Sequence, residues 1–352
     1  MTAVDTAISS QFQDRQSRNF LVRAASVSKR FVQRKPLGAF GAFMLVLILT
    51  VAIFSPLIAR DGLRESHVGD QLQGPSLPSF NFGWPLLTLG ENEYLLGTDS
   101  IGQDLYSRVV YGSQIAALVG VGTVMLVGFI SITVGMTSGY FGGRTDFIIQ
   151  RFVDVWLSFP AIFLILTLVA VLQTAGNFGF LGFGRGPEIG PQPDGGPWFW
   201  HTYARTTIVV VVLGVVLAGG ASRIVRAAVL GVKGIPYIDA AVVIGSSSPR
   251  ILFRHILPNI MPTVIVLASV QLGAAIIIEA TLSFLGVGVT NFPTWGQMLS
   301  GQTRTLMQQH MYLGLVPGIA IFLAVFGFNM LGDALRDVLD PRLRGAGGGG
   351  LG

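Results

Sequence analysis

The sequence predicts an all-α, polytopic membrane protein with six transmembrane helices and both termini in the cytoplasm. Three observations carry that expectation: the composition, the length of the apolar runs, and the placement of the cations. Of 352 residues, 51% are hydrophobic and only 12% are charged, where a soluble domain averages about 25% charged. Mean hydropathy is +0.63. A water-soluble globule of this size would lack the polar surface to cover itself. A disordered chain is excluded too, because disorder goes with low hydrophobicity and high net charge.

The elements follow in order. Residues 1–36 are polar and basic, and read as a frayed cytoplasmic tail lying near anionic lipid. The first span is expected at 37–59. It has 36 residues before it and an apolar run longer than the roughly 7–15 residues of a signal-peptide core. Residues 60–112 form a long external segment rich in Pro and Gly. A core of five more spans occupies 113–332, with apolar stretches at 113–140, 153–173, 206–222, 259–282 and 311–331. Each suits about 30 Å of hydrocarbon as helix. The fourth is the shortest, and its flanking Arg205 and Arg223 extend it by snorkelling. Runs this long, without two-residue alternation, exclude barrel strands. The external loop at 174–203 is dense in Gly and Pro over 176–197 and is expected to lack regular structure. A cytoplasmic loop at 223–258 and a cytoplasmic tail at 333–352 complete the chain.

Orientation follows from Lys and Arg. The tail before the first span, the loops after the second and fourth, and the C-terminal tail hold seven, two, five and three cations, 17 of the 23. The opposite side holds six: Arg60, Arg64, Arg108, Arg185, Arg205 and Arg304. Both termini are therefore placed inside, which requires an even number of spans.

Several chemistries are excluded. The chain has no cysteine, so disulfides, thiolate metal sites and cysteine nucleophiles are absent. Its four histidines lie beyond helical reach of each other, which argues against a histidine metal site. No phosphate-binding GxxxxGK[ST] loop and no HExxH motif occur. The chain is read as neither an enzyme nor a nucleic-acid binder, and no resident cofactor is expected. Ionisable groups near the spans are few: Arg151 and Asp154 at the inner edge of the third, Glu279 near the outer end of the fifth. Anchoring or pairing is the reading given to all three.

The loop between the fourth and fifth spans is the most informative segment. Residues 234–259 read GIPYIDAAVVIGSSSPRILFRHILPN. Pro236 suits a first helical turn. Ile238, Ala241, Val242 and Gly245 form one apolar stripe at helical spacing. Gly245 ends that helix. Ser248 is the expected N-cap of a second helix with Pro249 at its first position, running to His255, and Pro258 is expected to break it before the fifth span. A helix faced with small residues suits close docking in another protein's groove; a plain connecting loop packed on its own bundle is the alternative.

This segment resembles the EAA motif of ABC-importer permeases. Asp239-Ala240-Ala241 is followed by three residues, Gly245, nine residues, and His255-Ile256-Leu257-Pro258. Asp stands where the motif has Glu. Other blocks are similar to the C-type permease of dipeptide and oligopeptide importers. They are Leu96-Gly97-Thr98-Asp99 with Gly102, Asp104 and Ser107-Arg108; Tyr140 to Gly143 with Arg151, Asp154 and Phe159-Pro160; Glu279 to Gly286; and Asn329 to Arg342. Gln103 and Gln114 replace usual arginines, and 63–93 and 174–203 look like insertions.

The resemblance implies a type I ABC-importer permease fold and half of a transmembrane pathway for di- or oligopeptides. It implies a second homologous permease, two ATP-binding subunits that hold ATP and Mg, and an extracytoplasmic solute-binding protein, in a bacterial or archaeal cytoplasmic membrane. Asp239, Ala240, Ala241 and Gly245 would form the ATPase-docking surface. Arg250 and Arg254 either pair with carboxylates of the ATPase or form a basic rim on the membrane. His255 caps or packs the second helix, ahead of Pro258. In the family the fifth span lines the pathway, which brings forward Ser269, Gln271, Gly273 and Glu279; helix packing is the alternative for the first three. Nickel complexes, glutathione and oligosaccharides remain alternative cargoes. A self-sufficient secondary carrier is the competing class, and it would need inverted repeats and a mid-membrane ion site.

Overall fold

The computed structural model describes residues 35–62, 65–67, 69–76, 79–80, 87–88, 94–174, 177–178, 183–184, 199–289 and 292–339. The basic tail before Lys35, most of the external insertions, and the end of the chain from 340 onward lie outside these residues. The described residues form helices joined by turns and loops, with two short antiparallel pairings and one isolated bridge, Thr98 with Asp104, in those loops. β1 (Ser79–Phe80) pairs with β2 (Leu87–Thr88), and β3 (Asn177–Phe178) with β4 (Phe183–Gly184). The second pairing lies where no regular structure was expected.

Among the described residues, five helices are long and apolar enough to cross a membrane, and a bent helix pair brings the number to six where the pair counts as one span. α1 (Pro36–Ile58) begins with Pro36 in its first turn, where the missing N–H costs nothing. α2 (Leu105–Phe141) is capped by Asp104, whose carboxylate accepts from the backbone N–H of Tyr106 at 3.3 Å and Ser107 at 2.9 Å. It is the central helix, packed against α1, α5 and α8.

The third span departs from expectation. Instead of one helix over 153–173, α3 (Gly143–Leu157) and α4 (Ala161–Thr174) meet at 81°. Pro160 is the physical reason: it has no N–H to continue the ladder and disfavours helix at Phe159 before it. α3 also starts ten residues early, because its polar groups find partners. Asp146 pairs with Arg226, Gln150 donates to Ser138 Oγ at 3.0 Å, and Asp154 pairs with Arg223.

α5 (Phe199–Lys233) is twice as long as the apolar stretch that announced it. Apolarity marks the part suited to lipid, whereas helix continues through Arg223 and Arg226, whose charges α3 neutralises. α6 (Pro236–Val243) and a short turn α7 (Ser248–Arg250) follow. A widened π-helical segment, Ile251–Ile256, leads directly into α8 (Leu257–Phe284). Two short helices unforeseen in the sequence, α9 (Trp295–Met298) and α10 (Gln302–Leu306), precede α11 (Tyr312–Leu339).

Glycines set the closest crossings. A Cβ on Gly135 would stand 2.7 Å from Ser222 O, and one on Gly139 2.9 Å from Val229 Cβ, so the GxxxG pair of α2 packs on α5. A Cβ on Gly41 of α1 would stand 2.2 Å from Gly327 O of α11.

At the end of the bundle away from α6, Trp295 Nε1 donates to Val109 O at 3.0 Å and Tyr312 hydroxyl to Thr98 O at 3.2 Å. These bonds tie α9 to the first turns of α2, and α11 to the loop ahead of α2. In that loop Tyr94 is buried, with its hydroxyl on Asp70 Oδ2 at 2.9 Å, and Arg108 pairs with Asp99 at 3.3 Å.

Candidate functional site

The segment from α6 to the start of α8 has two distinct faces. Ile238 and Ala241 point inward and join a buried cluster with Met136 of α2, Val225 and Val229 of α5, Ile256 of the π-helical segment and Ile260 of α8. Ala241 is 4% exposed. It therefore anchors α6 to its own bundle and does not belong to an outer docking surface. The expected stripe splits, because Val242 and Gly245 are exposed while Ile238 and Ala241 are not.

The outer face carries Asp239, Ala240, Val243, Ile244 and Gly245. Val243 is 85% exposed and Ile244 80%. The sequence reading stressed small residues and missed these two branched side chains. The run Ala240 to Ile244 is apolar throughout, so periodicity alone could not say which members faced out.

Gly245 ends α6 as expected. Its φ is +79°, its N–H donates to Val242 O at 2.9 Å, and the next N–H, of Ser246, donates to Ala241 O at 3.0 Å. Only glycine takes that left-handed conformation freely. The N-cap position of α7 is Ser247 rather than Ser248, with no side-chain cap bond.

Pro258 does not break the chain's helix. Leu257 N–H reaches back five residues to Leu252 O, and the widened turn relieves the crowding a proline imposes on the carbonyl four residues earlier. The segment is thus continuous with the fifth span. Asn259 Nδ2 donates to Tyr237 Oη at 2.8 Å and to His255 O at 2.6 Å, bonding α6 to α8. The His255 ring lies 6.2 Å from that of Tyr237. Arg250 and Arg254 are exposed beside this segment, with no ion pair among the described residues.

The expected pathway residues of α8 lie apart from this site. Ser269 Oγ donates to Val266 O at 2.8 Å and lies against Gly332 of α11. Gly273 faces Asn329 of α11, whose Oδ1 would stand 3.3 Å from an added Cβ. Both therefore lie against α11 of this chain. Glu279 is 3% exposed and accepts from Ser283 Oγ at 2.6 Å, with a further hydrogen bond to the Thr294 side chain. It ties α8 to the loop ahead of α9. Gln271 alone of the four is half exposed. Among the described residues, no group of three or more His, Asp or Glu could hold a metal ion.

The chain has relatives along most of its length. It is 32% identical to the dipeptide transport system permease protein of Alkalihalophilus pseudofirmus, covering 89% of this chain and 88% of that one. It is 32% identical to the glutathione transport system permease protein of Pectobacterium atrosepticum, over 90% of each chain. It is 33% identical to a probable D,D-dipeptide transport system permease protein of Escherichia coli, over 88% of this chain and 89% of that one. Among solved structures, an inward-facing methionine ABC transporter aligns with a TM-score of 0.45 at 16% identity, covering 66% of this chain and 96% of that chain. Residues 131–345 match the family described as binding-protein-dependent transport system inner membrane component. The chain belongs to that family, as a multi-pass inner-membrane permease subunit rather than a catalytic enzyme.

Proposed function

We propose that this chain is one of two permeases in an ATP-driven peptide importer, with α6 as the element that couples it to an ATPase. The two-faced α6 carries this reading. Its inner face is held by α2, α5 and α8, so a push on its outer face moves three spans as a body. The outer face offers Val243 and Ile244 for burial, with Asp239, Arg250 and Arg254 around them for charge pairing.

A second homologous permease completes the pathway, two ATP-binding subunits bind below and hold ATP and Mg, and a solute-binding protein delivers cargo outside. The cation bias supports a cytoplasmic location for both termini. Gln271 is the polar group of α8 free to face the pathway. Peptides are favoured as cargo because dipeptide permeases recur among the relatives. The equally similar glutathione permease supports glutathione, itself a small peptide, as the second reading.

The test is uptake by the assembled complex in liposomes. ATP-dependent accumulation of a labelled dipeptide is expected. Accumulation without the ATP-binding subunits would overturn the subunit reading, and ATP-dependent uptake of glutathione alone would replace the cargo.

A further inference from the structure

α3 leaves open a cleft that its own sequence is patterned to close. Ile149, Phe152, Val153 and Trp156 recur at helical spacing and line it. Ile130 of α2 and Val215 of α5 line it too. The 81° bend at Pro160 turns α3 away from the direction of α4, and a cleft of about 360 Å³ lies among these three helices.

The walls select what can enter. They are apolar except for Ser222, whose Oγ donates to Gly219 O at 2.8 Å, and the indole N–H of Trp156, a buried donor with no partner among the described residues. A peptide here would leave most of its amide groups unpaired, which is costly. The walls therefore favour an apolar chain over a peptide.

The rim adds charge. Asp154 pairs with Arg223 and stands 4.0 Å from Arg151, so two cations share one carboxylate. The Arg151 side chain is 68% exposed, and Phe152, 76% exposed, forms the lip beside it. Arg223 follows the apolar run of α5 on the side where α6 lies. An apolar slot with surplus positive charge at its mouth complements a molecule with an aliphatic tail and a negative head.

We propose that this cleft binds one acyl chain of an anionic phospholipid of the cytoplasmic leaflet, with its head group at Arg151 and Arg223. The lipid fills the seam that the bend at Pro160 opens, and so supports α3 in its turned position.

Trp156 in the cleft wall provides the readout, since bromine quenches an indole it touches. The assembled transporter, in phosphatidylcholine vesicles, is titrated with phosphatidylglycerol brominated on its acyl chains. A saturable quenching component is expected, which Trp156→Phe removes and brominated phosphatidylcholine at the same mole fraction does not produce. Arg151→Gln should shift its midpoint to about fivefold more phosphatidylglycerol, the share of one cation near a charged lipid surface. Val215→Phe, which narrows the cleft without touching either arginine, should abolish it. Equal quenching by both lipids would mean bulk contact and overturn the proposal. Absence of any Trp156 component would mean that protein, not lipid, fills the cleft. Persistence in Val215→Phe would overturn the assigned location.

Discussion

Arg226 of α5 lays one edge of its guanidinium on Asp146 of α3, with Nε 2.6 Å from Oδ1 and Nη2 2.5 Å from Oδ2. Ser138 of α2 donates to the same carboxylate, and Gln150 donates in turn to Ser138 Oγ at 3.0 Å. Three helices are therefore joined at one point, on the end of the bundle that carries α6. A fork of two charge-assisted bonds fixes direction as well as distance, so α3 follows α5 when α5 moves.

Removing either partner leaves the other partly buried without its charge partner. Arg226→Gln and Asp146→Asn are each expected to cost about 2 kcal/mol. The double variant should cost far less than the sum, because the interaction is lost only once. Thermal unfolding of the purified complex checks this. Additive losses would show that the pair is not coupled.

Close packing of α2 on α5 makes a second prediction. A side chain at Gly135 meets the backbone of Ser222, which cannot yield, whereas nothing lies within 4 Å of a Cβ at Gly128, two turns earlier on α2. Gly135→Leu should abolish recovery of folded protein, and Gly128→Leu should not. Size-exclusion profiles of the two variants, expressed alike, decide it; equal recovery would show that the crossing can open.

These contacts also explain what the sequence could and could not reveal. Five of the six spans follow from local run length, and the ends of α6 from Pro236 and Gly245, because a lone proline or glycine acts on its own backbone. The bend at Pro160 was hidden because apolar residues continue on both sides of it, so hydropathy runs straight through a break in direction. The extent of α3 and α5 depended on Asp146 and Asp154 finding Arg226 and Arg223, which lie 80 and 69 residues away. The inward turn of Ala241 and the contact of Ser269 with α11 were likewise tertiary. An alanine in an apolar run, or a serine in a span, suits a partner, a pathway or a neighbouring helix equally until the neighbour is placed.

At the other end of the molecule, Tyr94 makes a prediction about pH. Burial raises its phenol to about 12, helped by the hydrogen bond to Asp70 and the charges of Asp70 and Asp61, with Arg60 opposing. The proton is held more tightly in the folded loop than in the unfolded chain. The stabilisation is thus complete below pH 10, the ordinary tyrosine value, and is lost as pH rises from 10 to about 12. Hydrogen exchange of the loop residues around Tyr94 should show that alkaline loss, and Tyr94→Phe should remove it while weakening the loop by about 1 kcal/mol at neutral pH. An alkaline loss that persists in Tyr94→Phe would assign it to another group.

The coupling role of α6 rests on separating its outer face from its fold. Val243 and Ile244 contribute little to the chain's own core, so Val243→Asp or Ile244→Asp should leave the permease folded. Either change puts a charge into the surface proposed to bury against the ATPase, and should abolish cargo-stimulated ATP hydrolysis. Gly245→Ala behaves in the opposite way. Its φ of +79° strains any side chain, at a cost of about 1 kcal/mol, but the small methyl meets nothing within 4 Å in the chain itself. Stability should fall slightly while coupling survives. Stimulated hydrolysis measured on the three complexes, beside their unfolding temperatures, separates the two effects. Normal stimulation in both aspartate variants would mean that the ATPase engages some other face, and that the exposure of Val243 and Ile244 has a different cause.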